Sequence, residues 1–215
     1  MQILKEIRPV LLKELSIDSS LKQIAGALGK LETHKIDHVS WPAYPYKPPV
    51  SFEMARGRDC IMLHYFVNEA NIRAVNTENN SSVWEDSCVE LFISFNDQAG
   101  YYNFEINCIG TVLAAFGKDR NHREFLPDGI INSIKRYSSI HRVPGSQMIG
   151  WEVVIMFPLT VFIHDKISKL DGVEARGNFY KCGDKLPDPH FLCWNPIESR
   201  GPDFHLPAFF GKILF

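Results

Sequence analysis

The chain has 215 residues, 45% of them hydrophobic and 22% charged, with a formal net charge of −2 at pH 7. That length suits a single domain spanning residues 1–215, which buries roughly 70% of its unfolded surface and needs no covalent or metal staple. Twenty-three basic against 25 acidic residues leave no basic stripe, which excludes the usual profile of a nucleic-acid binder.

Residues 1–38 read as an N-terminal extension. One short strand is expected in it, at 2–7 or 10–15. Ser19 is placed to cap a short helix that runs to Leu28 and stops at Gly29. The first 15 residues, MQILKEIRPVLLKEL, mix charges with short apolar stretches, so they match neither a signal peptide nor a membrane span. With Met1 as the native start the expectation is a cytoplasmic protein; a start behind a removed signal would undo it. Residues 41–50, WPAYPYKPPV, carry four prolines, which forbid a helix and favour an extended edge segment. Trp41, Tyr44 and Tyr46 are expected to cover one end of a sheet.

From Val50 onward the pattern is that of strands: 51–56, 60–68, 88–95, 101–109, 111–117, 130–140, 150–158 and 211–215. Turn residues punctuate them at 57–59, 76–82, 96–100, 127–129 and 144–146. One helical turn is expected within 158–163. Many short strands without a βαβ rhythm predict an all-β fold, an antiparallel β-sandwich of jelly-roll or immunoglobulin-like kind with one or two short helices. Trp151 opens the alternating run WEVVIMF and should pack inside the sandwich. Residues 177–211, rich in Pro, Gly, Asp and aromatics, read as a long irregular segment, and long ordered loops are commonly functional.

The most informative stretch is 83–95, VWEDSCVELFISF, followed by 101–110, YYNFEINCIG. Both alternate at period two. Val89, Leu91, Ile93 and Phe95 share one face, and Cys88, Glu90, Phe92 and Ser94 the other. Tyr102, Phe104, Ile106 and Cys108 likewise oppose Tyr101, Asn103, Glu105 and Asn107. Carboxylates and amides therefore fall in one row, with Trp84 at the strand entrance. An aromatic plate beside fixed carboxylate and amide groups suits a sugar, whose C–H face stacks while its hydroxyls hydrogen-bond.

Five cysteines, at 60, 88, 108, 182 and 193, form no CxxC pair, and Cys88 and Cys108 read as small buried hydrophobes. Eight histidines form no metal-ligand motif. The charge clusters at 118–123 and 135–142 read as solvated faces.

The segments WEDSCVELFISF, YYNFEINCIG, NFYKCGD, HFLCWNP and PDFHLPAFFG, in that order, resemble the family 9-like carbohydrate-binding domains of Bacteroidetes-type proteins, a β-sandwich group related to the DOMON fold. The resemblance covers residues 39–215. It implies non-catalytic binding of a mono- or oligosaccharide, tied to carbohydrate catabolism, with a sugar ring clamped between two tryptophans. Trp84 matches the first plate, Glu90 the glutamate six residues on, and Trp194 the second plate. Asn103, Asn107 and Asn178 would supply mixed donors and acceptors, and Asp184 a further polar contact. The arginine of related xylanase modules has no clear match; Arg73, Arg176 and Arg200 are candidates. Calcium braces loops in that family, and Asn96–Asp97 with 184–188 offer oxygen ligands without EF-hand spacing. Two rival readings remain open: a glycoside hydrolase using Glu90 and Glu105, and a haem-binding DOMON-type domain with Met62 or His64 as an axial ligand.

Overall fold

The computed structural model describes residues 4–96 and 100–215, without the side chain of Asn96. The start of the 2–7 strand, most of the 96–100 turn and the Asn96–Asp97 ligand pair lie outside the described residues.

The elements follow in chain order. They are β1 (Glu6–Ile7), β2 (Val10–Leu11), α1 (Leu21–Leu28), β3 (His34–Lys35), β4 (His38–Val39), β5 (Val50–Arg56) and β6 (Cys60–Glu69). Then come β7 (Cys88–Asn96), β8 (Gly100–Asn107), β9 (Val112–Gly117), β10 (Arg123–Phe125), α2 (Asp128–Ser133), β11 (Lys135–Arg142) and β12 (Ile149–Pro158). The last three are β13 (Glu174–Cys182), β14 (Phe191–Cys193) and β15 (Gly211–Leu214). One sheet runs β1-β15-β13-β7-β8-β9-β10, with β14 and β4 joined beside β13; the other runs β11-β12-β6-β5-β2, with β3 beside β5. The fold is the all-β sandwich that the alternation predicts.

The main core fills the space between the sheets. Leu91, Ile93, Phe104 and Phe179 from the first sheet meet Phe52, Leu63, Val153 and Phe157 from the second. Phe52 stacks on Phe179 with ring centroids 3.9 Å apart, and Phe104 tilts against Phe157 at 4.8 Å. Trp151 lies in this core as expected, its indole N–H donating to Glu69 Oε1 at 2.6 Å. Each such side chain contributes about 1.5–3 kcal/mol by leaving water.

Both sheets also bury part of their outer faces. Helix α1 lays Ile24 and Leu28 on Ala55, Met62, Val154 and Met156 of the second sheet. Its cap is Ser20 rather than Ser19, because only Ser20 stands three residues before Gln23. Ser20 Oγ accepts from the Gln23 N–H, and Gln23 Oε1 accepts from the Ser20 N–H at 3.0 Å. Over the first sheet, Trp41, Ile197, Phe204 and Phe210 cover Phe92, Tyr101, Leu113 and Tyr180. These loops, not a third layer of regular structure, form the walls of the site.

Three further expectations change. The strand expected at 130–140 begins only at Lys135; a helical turn, α2, precedes it. There Ile131 is buried, and the Arg136 guanidinium donates to the carbonyls of Ile131 and Ile134 at the helix end. The irregular segment expected from Gly177 opens with β13, which runs between β15 and β7. Its sequence hides this, because both faces are buried and no polar alternation survives. Residues 1–38 are also woven in: β1 pairs with β15, β2 and β3 with β5, and β4 with β14.

Candidate binding cleft

On the outer face of the first sheet a cleft of about 370 Å³ opens among the covering loops. Its size falls in the range of small-molecule sites. Trp84, Tyr44 and Phe191 give it apolar walls, each half-buried and so partly open to solvent. Glu90 and Glu105 form the acidic floor, Arg120 and Arg123 the basic side, and His205 and Asp184 complete the polar lining.

The Trp84 indole is set by a single 3-10 turn, Val83–Glu85. Val83 anchors that turn in the apolar cover. Asp86, fully buried just after it, accepts from the N–H groups of Val75 and Asn76 and from Asn107 Nδ2, and pairs with Arg73. Burial works against ionisation of Asp86, but these hydrogen bonds outweigh it and hold the carboxyl below its usual range.

Glu90 and Glu105 are register partners on β7 and β8, opposite each other on one face. They are 2% and 3% exposed, so two like charges would face each other almost dry. Burial, then the neighbouring Glu105, pushes the Glu90 carboxyl well above its ordinary value. Burial pushes Glu105 up to about 7, against the pull of Arg123. Asn103 Nδ2 donates to Glu105 Oε1 at 2.9 Å, and Arg123 Nη1 lies 3.4 Å from the same oxygen. Glu105 Oε2 has no hydrogen-bond partner among the described residues.

Arg123 reaches this floor because β10 runs close beside β9, pairing Arg123 with Gly117. A Cβ at Gly117 would come within 2.1 Å of the His122 carbonyl oxygen, so only glycine permits the approach. Beyond Arg123, His205 is held neutral: burial and the two arginines push its pKa down to about 3. Its Nδ1 lies 2.8 Å from the Tyr101 hydroxyl and its Nε2 3.5 Å from Arg123 Nη1. With the guanidinium donating to Nε2, the ring proton sits on Nδ1 and is donated to Tyr101.

Of the residues singled out in the sequence, Trp84 and Glu90 meet in the cleft, and Glu105 and Asp184 join them. Trp194 does not. It is 2% exposed and edges onto Phe52 and Phe179 at 6.2 and 5.4 Å, so it is a core residue rather than a second plate. Its edge reaches a separate hollow of about 440 Å³ near Lys5 and His34. Asn178 donates to the Asn195 carbonyl at 3.0 Å, and its Oδ1 accepts from the Asn195 N–H, so it ties β13 to the chain beyond β14. Asn107 is committed to Asp86 and to the Asn76 carbonyl. Asn103 acts through Glu105. Arg73 serves Asp86, and Arg176 donates to the carbonyls of Pro207 and Phe210. The cleft arginines, Arg120 and Arg123, come instead from the cluster that read as a solvated face.

The five cysteines are buried and unpaired. Met62 packs beneath α1, and His64 Nε2 is engaged by Glu152 at 3.0 Å, so neither lines the cleft. Among the described residues the His, Cys, Asp and Glu side chains that converge are Cys88, Glu90 and Cys182.

The fold and cleft together define a β-sandwich ligand-binding module. The chain belongs to carbohydrate-binding family 9, whose family model matches residues 22–215. It is similar to a solved structure of an inferred carbohydrate-binding protein from Bacteroides uniformis ATCC 8492, with 39% identity, a TM-score of 0.91 and coverage of 98% of this chain and 99% of that one. Two structures of a family 9 module from Caldicellulosiruptor kristjanssonii share the fold. The complex with glucose has 12% identity and a TM-score of 0.61, covering 98% and 95% of the two chains. The complex with cellotriose has 13% identity and a TM-score of 0.59, covering 98% and 93%. No curated protein matches the chain.

Trp194→Ala should lower stability by about 3–5 kcal/mol, as expected for deleting a buried aromatic. Urea unfolding measures it, and a loss below about 1 kcal/mol would place Trp194 outside the core. A second prediction concerns pH. His190 and His205, both pushed down to about 3 by burial and nearby cations, stay neutral when folded, so their contribution is present above about 6.5 and lost as pH falls. Glu90 and Glu105, pushed up, have the opposite sign: their contribution is present at low pH and lost as pH rises through about 7 for Glu105. Between pH 7 and 5 the two effects oppose. Glu105→Gln removes one acid, so the variant should lose more stability on acidification than the wild type, by up to about 1.4 kcal/mol per pH unit. Urea unfolding at pH 7 and 5 tests this, and equal losses in the two proteins would contradict it.

Proposed function

We propose that the cleft binds a sugar ring without turning it over, as a module serving carbohydrate catabolism. The observation that carries this reading is the meeting of Trp84, Tyr44 and Phe191 with the Glu90–Glu105 floor and Arg123 in one cleft. Trp84 supplies the stacking plate, and Tyr44 and Phe191, edge to face at 4.9 Å, the opposing apolar wall. Glu90 and Glu105 accept from vicinal hydroxyls, and Arg123 donates. This replaces a two-tryptophan clamp by one tryptophan and a Tyr–Phe pair. Family membership, and the glucose and cellotriose held by the Caldicellulosiruptor modules, support glucose and short glucans as the first ligands to try.

Stacking plus a few hydrogen bonds, less the cost of immobilising a sugar, gives an affinity on the order of micromolar to millimolar. Trp84→Ala should weaken it at least about tenfold, since stacking contributes on the order of 1.4 kcal/mol. The fold should survive, because Val83 and Asp86 hold the turn. Calorimetric titration with glucose and cello-oligosaccharides is the test. Unchanged affinity in the variant would remove Trp84 from the site. Turnover of a chromogenic glycoside, lost in Glu90→Gln, would replace the binding reading by hydrolysis.

A further inference from the structure

Cys88 and Cys182 are register partners across β7 and β13, and Glu90 follows two residues along β7 on the same face. The two Sγ atoms and a Glu90 carboxylate oxygen all lie within 4.8 Å of one another. Cys182 Sγ stands 3.0 Å from Glu90 Oε1. The three residues are 0%, 1% and 2% exposed, so the geometry belongs to rigid strand backbone rather than to a surface loop.

We propose that Cys88, Cys182 and Glu90 form a three-ligand site for a thiophilic divalent cation of the zinc type. Two sulfurs and one oxygen select such an ion over calcium or magnesium, which take oxygen ligands. Zinc–sulfur bonds of about 2.3 Å and zinc–oxygen bonds of about 2.0–2.2 Å place tetrahedral ligand atoms about 3.5–3.8 Å apart, a small side-chain adjustment that opens the Cys182–Glu90 spacing of 3.0 Å. Binding forms two metal–thiolate bonds and one metal–carboxylate bond, and it releases the two thiol protons and the proton held by Glu90 to solvent. Cys182 and Glu90 line the cleft, which gives the ion an entry path and leaves its fourth position facing solvent. The site shares Glu90 with the proposed sugar floor but does not rest on that reading, because its ligands are fixed by strand register whatever the cleft binds.

Cobalt(II) titration of the reduced protein is the test, followed by optical spectroscopy. The expected result is one equivalent bound per chain, with a thiolate-to-cobalt charge-transfer band that zinc abolishes. Cys88→Ser and Cys182→Ser should each diminish or lose that band, whereas Cys60→Ser, a buried cysteine beneath α1, should keep it. No charge-transfer band in the wild type overturns the proposal, as does a band unchanged in both serine variants. Should a serine variant fail to fold, zinc-edge X-ray absorption of the wild type decides: a shell with two sulfurs at about 2.3 Å supports the site, and a shell without sulfur overturns it.

Discussion

Two carboxyl groups placed opposite each other on adjacent strands cannot both be sealed as charges beneath an apolar cover. Glu90 and Glu105 meet this constraint on β7 and β8. An isolated buried carboxylate is costly, and two in register repel. The protein answers with proton retention on the pair, an amide from Asn103, a guanidinium from Arg123 and an opening to solvent. The cleft is that opening. Residues that look unrelated in the sequence are arranged around it.

The cover follows from the same constraint. Phe92 and Tyr101 flank the pair on its own face and need apolar partners. They find them in loop residues: Phe210 meets both rings, and Phe204 stacks on Tyr180, which in turn edges onto Phe92. His205, kept neutral by burial and by the arginines, closes the polar side against Tyr101. Trp84, Tyr44 and Phe191 remain half-buried at the margin, where apolar cover gives way to polar floor. An amphipathic rim of this kind suits a ligand with one apolar face and a hydroxylated edge.

Much of this was legible in the sequence, for a definite reason. Period-two alternation fixes which side chains share a face, so the core faces of β7 and β8 and the Glu90–Glu105 row could be read directly. Trp84 was legible because it precedes that row by a few residues. Trp194 misled because a tryptophan in a long Pro- and Gly-rich segment looks exposed, whereas pairing of β14 with β13 turns it into the core. Arg123 was missed because its approach depends on Gly117 and on the pairing of β10, a contact between segments that local pattern does not encode. Strand β13 was hidden for the opposite reason: burial on both faces erases the alternation that marks a strand.

In the proposed function, ligand meets the chain at the Trp84–Glu90–Glu105–Arg123 cleft and not at Trp194. A two-dimensional proton–nitrogen NMR titration with glucose and cellotriose tests it most directly, because each tryptophan contributes its own indole signal. The Trp84 indole and the amides of Glu90, Glu105 and Phe191 should shift together, while the Trp194 indole stays fixed. Shifts centred on Trp194 and the hollow near Lys5 and His34, with Trp84 unmoved, would contradict it.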